Sequence, residues 1–205
     1  MTAPFASAQA DSGILRRMVR FVATVILLTA VYLAVSLPFK FALELIPGFT
    51  DIRPVACLQP IFGVFFGIPG CLAFGVGNLI TDAMGDSLRW SSIAGFVANV
   101  GNPLLFCLLW WRLRDGVFDL RTGRNIALLA GLSFTCACLQ SLVISVAVAA
   151  AYPDVDVLLF ALSVVGNHTV FPVLFGAPIA ILMQEEMGKD PRGLGGRFRL
   201  ANTPA

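Results

Sequence analysis

Most of this chain consists of apolar stretches that are long enough to cross a lipid bilayer. Residues 21–37, 55–80, 92–111, 126–152 and 157–183 contain no lysine, arginine, aspartate or glutamate. A helix needs about 20 apolar residues to cross the hydrocarbon core of a membrane. Only 13% of all residues are charged, whereas soluble domains average about 25%. The pattern excludes a water-soluble domain and predicts an all-α integral membrane protein.

The first apolar stretch is too long for the core of a signal peptide, which measures roughly 7–15 residues. We therefore interpret it as an uncleaved membrane helix. Residues 1–19 are expected to be a disordered cytoplasmic N-terminus, and residues 20–185 the transmembrane domain. Residues 186–205, which are rich in glycine and arginine, are expected to be a flexible cytoplasmic tail.

The stretch at residues 55–80 is either one membrane span or two. The sequence Gly67-Ile-Pro-Gly70 lies at its centre, and glycine and proline at this spacing favour a turn or a helix break. One span would give five in total, and two short spans joined by a tight turn would give six.

The distribution of cations favours six spans, because cytoplasmic loops of membrane proteins are enriched in lysine and arginine. With both termini in the cytoplasm, six spans place eleven of the 14 cations inside. Those eleven are Arg16, Arg17, Arg20, Arg112, Arg114, Arg121, Arg124, Lys189, Arg192, Arg197 and Arg199. Five spans would put at least one of these clusters outside. The prediction is therefore six helices, with a short second and third span.

Several polar side chains interrupt the spans near their outer ends, where an ionisable or amide group is a candidate functional residue. The predicted substrate-binding residues are Arg53, Gln59, Asn78, Asp82, Trp90, Asn102 and His168. Asp82 follows Asn78 by four residues, which places both on one helix face. Together these residues predict a polar cavity that opens to the outside, with Trp90 at its lip.

Structural interpretations of the same residues remain open. Asp82 can belong to a solvated outer loop, and the asparagines can be hydrogen-bonding contacts between helices. His168 can be a satisfied interior histidine, and Gln140, alone in its span, is interpreted as structural.

The sequence contains no arrangement of residues that indicates catalysis. It has no HExxH, GxSxG or Walker A sequence, and its single histidine has no acidic partner nearby in sequence. The five cysteines lie in apolar stretches and lack the spacing of metal ligands. We expect no catalytic residue, no metal, no cofactor and no nucleic-acid partner.

The stretch Asp51-Ile-Arg-Pro54, Gln59-Pro60, Phe66-Gly-Ile-Pro-Gly70, Gly77-Asn-Leu-Ile-Thr-Asp82 and Asn99-Val-Gly-Asn102 resembles the substrate-binding S components of energy-coupling factor (ECF) transporters. Such proteins have six membrane helices and cytoplasmic termini. Ala30 and Ala34, one helical turn apart, are similar to the alanine motif through which S components meet their scaffold subunit.

The resemblance implies a subunit of an ECF-type importer that captures a vitamin-sized micronutrient at the outer face of a bacterial or archaeal inner membrane. It also implies three partners: a transmembrane scaffold subunit and two ATPase subunits. The charge of the ligand stays open, because Asp82 and Asp86 make the mouth acidic. The alternatives are a membrane sensor or structural module without transport and, third, a membrane-embedded enzyme.

Overall fold

The structure is a computed structural model that describes residues 4–42, 44–46, 50–114 and 117–187. Five helices in these ranges are long and apolar enough to cross a membrane. They are Gly13–Lys40, Pro54–Met84, Ser91–Leu113, Gly123–Ala151 and Val157–Glu186. The chain is therefore a multi-pass membrane protein made mainly of α-helix.

The elements follow one another with short connections. Helix α1 covers Pro4–Ala42 and is followed by a two-stranded antiparallel sheet, β1 (Glu44–Ile46) and β2 (Thr50–Asp51). A 3-10 turn at Pro54–Cys57 leads into α2 (Leu58–Met84). The remaining helices are α3 (Ser91–Leu113), α4 (Gly123–Ala151), α5 (Val157–Phe171) and α6 (Ala177–Met187), with a π-helical turn at Pro172–Gly176 between the last two.

Helix α2 is folded back on itself at Gly67. Gly67 has φ 61° and ψ −137°, a backbone conformation that suits glycine. The rings of Phe62 and Phe74 lie 6.0 Å apart, whereas twelve residues of straight helix would separate them by about 18 Å. Residues 58–66 and 68–84 are therefore two antiparallel arms, called here the first and second arm, and Gly67 is the tip of the hairpin.

Contacts between the helices give their directions. Thr29 reaches the Ala73 carbonyl and Lys40 packs on Gly85, so α1 runs parallel to the second arm. The absent side chain of Gly75 admits Val100 of α3, while Gly95 of α3 lies beside Asn78, so α3 runs antiparallel to that arm.

Two ends of the helix bundle can be distinguished. The first end holds the β1–β2 sheet and the loops 85–90 and 152–156. The second holds the hairpin tip and the loop before α4: Phe65 stacks edge-on with Phe118 at 5.6 Å, and Gln184 of α6 accepts from the Leu120 amide at 3.4 Å. Arg112, Arg114, Arg121 and Arg124 belong to this second end.

The hairpin forms the centre of the bundle and α1 lies at its edge. In their most apolar windows, 78% of the α2 segment is buried but only 17% of α1. The exposed side chains of α1 are large and apolar, including Ile14, Met18, Ile26 and Leu27. Such a surface suits lipid and would be unfavourable in water. Burial inside protein also explains why two short arms are tolerated at the centre.

Helix α1 differs from its predicted boundary, since it begins at Pro4 and not near Arg20. The segment before Arg20 contains Ala6, Ala8 and Ala10, and alanine has the highest helix propensity, so the membrane helix extends upstream. The expected disorder of residues 1–19 thus gives way to helix from Pro4 onward. The tail at 188–205 lies outside the described residues.

Candidate functional site

A cavity of about 50 Å³ lies at the first end of the bundle. Its lining comes from the residue before the 3-10 turn, the second arm, α3, α4 and α5, together with the loop 85–90. The lining residues are Arg53, Asn78, Asp82, Ser87, Arg89, Ser91, Ser92, Gly95, Asn99, Gln140, Ile144, Val148, Phe160, Val164, Asn167 and His168. Ten of these sixteen side chains carry amide, hydroxyl or charged groups, inside a body that is otherwise apolar.

Arg53 joins three segments at the mouth of the cavity. Its Nη1 donates to Oδ1 of Asn78 at 2.7 Å, and its backbone N–H donates to Oδ1 of Asn167 at 3.0 Å. Nδ2 of Asn78 in turn donates to Oδ2 of Asp82 at 3.4 Å. Since Arg53 precedes the first arm and Asn78 lies on the second, this contact depends on the fold-back at Gly67.

Gln140 of α4 is the centre of a second, deeper network. Its Oε1 accepts from Nδ2 of Asn102 at 2.6 Å and from Nε2 of Gln59 at 3.2 Å. Its Nε2 lies 3.1 Å from Oδ1 of Asn99 and 3.3 Å from Nε2 of His168. Gln140 thereby connects α4 with the first arm, α3 and α5 at the floor of the cavity.

These contacts fix the protonation pattern of His168. Nδ1 of His168 lies 2.7 Å from Oε1 of Gln59, which can only accept, so Nδ1 carries a proton. Nε2 faces the amide nitrogen of Gln140, a donor, so Nε2 is the acceptor. His168 is therefore a neutral imidazole that is held between two glutamines.

Close backbone approaches hold this network in position. Gly176, in the π-helical turn, has its Cα so near the Cys57 carbonyl that an added Cβ would lie 2.6 Å from that oxygen. Gly63 makes a similar approach to the carbonyl of Pro103. Small residues at these two positions bring the first arm against α3 and the 3-10 turn against the π-helical turn, beside the place where Gln59, Asn102 and His168 meet.

Two loops meet at the mouth. The Arg89 guanidinium lies over the ring of Tyr152, 5.5 Å from its centroid, which joins loop 85–90 to loop 152–156. The Arg89 amide also donates to Oγ of Ser92 at 3.1 Å. Trp90, by contrast, is 82% exposed and does not line the cavity.

Six of the seven predicted site residues come together in the structure. Arg53, Asn78, Asp82 and His168 line the cavity, and Gln59 and Asn102 lie directly below it through their bonds to Gln140. Trp90 lies outside this group.

The predicted binding residues leave out two important members of the site. Gln140 was interpreted as structural because it stands alone in its span, yet it lines the cavity and binds four other side chains. Arg89 lines the mouth as well. Gln140, Ile144 and Val148 share one face of α4, at steps of four residues. This spacing identifies a wall of the cavity only when the neighbouring helices are known.

The predicted docking residues lie away from the cavity. Ala30 and Ala34 are both exposed on α1 and share one face, at a spacing of four residues. Among the described residues, no three histidine, cysteine, aspartate or glutamate side chains are grouped as a metal site would require.

Comparison of the chain with protein-family models, with curated proteins and with solved structures finds no match. The functional interpretation therefore depends on the sequence pattern and on the geometry of the site.

Proposed function

We propose that this protein is the substrate-capture (S) subunit of an ECF-type importer in the inner membrane of a bacterium or archaeon. It binds a small micronutrient at the outer face and delivers it through a scaffold subunit and two ATPase subunits. The observation that carries the proposal is the polar cavity at one end of an apolar helix bundle. Buried polar groups in a membrane domain are costly and are typical of ligand or ion pathways.

The proposed topology has six spans with both termini in the cytoplasm. Each arm of the α2 hairpin then crosses the membrane, and the tip at Gly67 faces the cytoplasm. The four arginines at the tip end follow the rule that cations collect inside. The cavity, at the opposite end, faces outward, where a capture subunit would meet its ligand.

The cavity is small and the tip end of the bundle is filled, which suits a protein that captures a ligand better than a channel. A volume of about 50 Å³ holds roughly four water molecules. The buried aromatic residues Phe65, Phe118 and Trp110 fill the tip end. Loops 85–90 and 152–156 would separate to admit a ligand at the mouth, and transport across the membrane would need the partner subunits.

Native mass spectrometry of the full chain, purified in detergent, tests ligand capture. We expect a stoichiometric small-molecule adduct on the wild-type protein and a much lower occupancy in Asp82→Asn, because Asp82 lines the cavity. Asp154→Asn removes an exposed carboxylate from the neighbouring loop and serves as the control. Equal occupancy in all three proteins would show that the adduct lies elsewhere, and a bare wild-type mass after incubation with a vitamin panel would contradict the proposal.

A further inference from the structure

Three side chains at the floor of the cavity form a closed ring of hydrogen bonds. Nε2 of Gln59 donates to Oε1 of Gln140, Nε2 of Gln140 donates to Nε2 of His168, and Nδ1 of His168 donates to Oε1 of Gln59. Each member donates one bond and accepts one, so the three bonds run in the same direction around the ring. The reverse direction would need both amides to rotate and the proton of His168 to move from Nδ1 to Nε2.

The ring by itself does not fix this direction. The oxygen and nitrogen of a carboxamide occupy nearly the same space, and a neutral imidazole can carry its proton on either nitrogen. Asn102 does not fix the direction either, because its side chain bonds only to Gln140 among the described residues and its own amide could rotate. The direction must come from a partner that can only donate or only accept.

Asn99 provides the link to such a partner. Its Nδ2 donates to the backbone carbonyl of Gly95 at 2.8 Å, and a carbonyl oxygen can only accept. Oδ1 of Asn99 therefore faces Gln140 and accepts from its Nε2 at 3.1 Å. The same Nε2 donates to Nε2 of His168, which must be the unprotonated ring nitrogen. One backbone carbonyl of α3 thus determines, through two side chains, where the proton lies on a histidine of α5.

The same bonds leave Asn99 with hydrogen-bonding capacity that its neighbours lack. The floor residues that line the cavity are Asn99, Gln140 and His168. Gln140 uses both N–H groups and both lone pairs of its amide, and His168 uses both ring nitrogens. Asn99 uses one N–H and one lone pair among the described residues, so one of each remains.

We propose that Asn99 is a specificity-determining residue of the site. It positions the proton of His168 through Gln140, and it offers its remaining N–H and lone pair to the ligand. A ligand group that both donates and accepts, such as a hydroxyl or an amide, complements this pair. The positioning role is independent of the proposed function, whereas the contact with a ligand rests on it.

The position of the proton on His168 can be measured directly, because the chain contains one histidine. In the full purified chain labelled with 15N-histidine, NMR distinguishes a protonated ring nitrogen from an unprotonated one. The couplings to the ring C–H protons tell Nδ1 from Nε2. We expect the wild-type protein to show a protonated Nδ1 and an unprotonated Nε2. A protonated Nε2 would overturn the inference.

Two matched substitutions separate positioning from packing. Asn99→Leu and Asn102→Leu each remove a buried amide that contacts Gln140, so both should lower the thermal unfolding midpoint. Only Asn99→Leu should give the signals of both tautomers, because it removes the link to Gly95. Asn99→Ala, which adds no bulk, should do the same.

Asn99→Asp should restore the wild-type pattern, since a carboxyl group accepts from Gln140 whether or not it is protonated. A single tautomer in both Asn99→Leu and Asn99→Ala, or a mixture in Asn102→Leu, would show that Asn99 does not set the direction.

Native mass spectrometry of the same variants tests the contact with a ligand. Asn102 does not line the cavity, so Asn102→Leu should retain the molecule that co-purifies with the wild-type protein, whereas Asn99→Leu should lose most of it. Equal occupancy in the two variants would overturn the contact. If the His168 signals are as expected but no molecule co-purifies with the wild-type protein, the positioning role stands, while the contact and the proposed function fail.

Discussion

At the scale of single residues, the loss of Gln140 would remove the most contacts from the site. Its amide contacts four side chains on three other segments. Buried polar groups are stable in an apolar environment only when they are paired. Gln140 therefore has two roles: it positions the floor of the cavity, and it links the helices that surround it.

Substitution of Gln140 should lower stability more than the loss of one contact would suggest. Gln140→Leu leaves Asn102, Gln59 and His168 each short of a partner, and each unpaired buried group costs roughly 1–3 kcal/mol. We expect a clearly lower thermal midpoint by tryptophan fluorescence in detergent. Leu142→Ala, whose side chain is 62% exposed two residues away, should change the midpoint little. Equal midpoints for Gln140→Leu and the wild type would show that the network does not stabilise the fold.

The sequence could predict the members of the site that lie at span ends, but not the residue that joins them. Arg53, Asn78 and Asp82 were identified because charged and amide groups are rare in spans. Gln140 carries the same signal but has no charged or amide side chain near it in its own helix. Its partners come from Gln59, 81 residues away, and His168, 28 residues away. Trp90, predicted at the lip of the cavity, has an exposed side chain that does not line it, although its neighbours Arg89 and Ser91 do.

At the scale of elements, the hairpin of α2 determines where the site forms. The fold-back at Gly67 brings Arg53 and Asn78 within 2.7 Å, although 25 residues separate them. The turn could be anticipated from Gly67, Pro69 and Gly70. The N-terminal extension of α1 could not, because a polar, alanine-containing segment is compatible with both disorder and helix.

The packing of the first arm on α3 should depend on Gly63. A Cβ in Gly63→Ala would overlap the carbonyl oxygen of Pro103, which is backbone and cannot rotate away. We expect a loss of about 1–3 kcal/mol, the usual cost of overpacking, measured as a lower unfolding midpoint. Gly131→Ala is the matched control: its Cβ would meet nothing within 4 Å, and alanine favours helix by up to about 1 kcal/mol. A Gly63→Ala protein as stable as Gly131→Ala would contradict the close packing.

At the scale of the whole molecule, the exposed face of Ala30 and Ala34 should act in delivery and not in capture. Ala34→Leu adds bulk where a scaffold helix would approach, far from the cavity. We expect normal occupancy of the co-purified molecule by native mass spectrometry, together with loss of its uptake by cells that express the partner subunits. Ala149→Leu, an exposed alanine of α4, should preserve both. Normal uptake with Ala34→Leu would exclude this face as the docking surface.

The outward orientation of the cavity depends on a chain that crosses the membrane six times. Labelling with a membrane-impermeant maleimide tests this, using cysteine at Ile68, Asp86 or Arg121, one position at a time. Each of these side chains is exposed. The native cysteines Cys57, Cys71, Cys107 and Cys136 are buried, and the unsubstituted chain provides the background.

With six spans, Asp86→Cys should react in intact cells, whereas Ile68→Cys and Arg121→Cys should react only after the cytoplasmic side is opened. Ile68→Cys is the decisive position, because it lies at the tip of the hairpin. If Ile68→Cys and Arg121→Cys are both labelled only after the cytoplasmic side is opened, the two arms cross the membrane and the cavity opens outward. If Ile68→Cys stays unlabelled on both sides, or reacts in intact cells, the six-span topology is wrong.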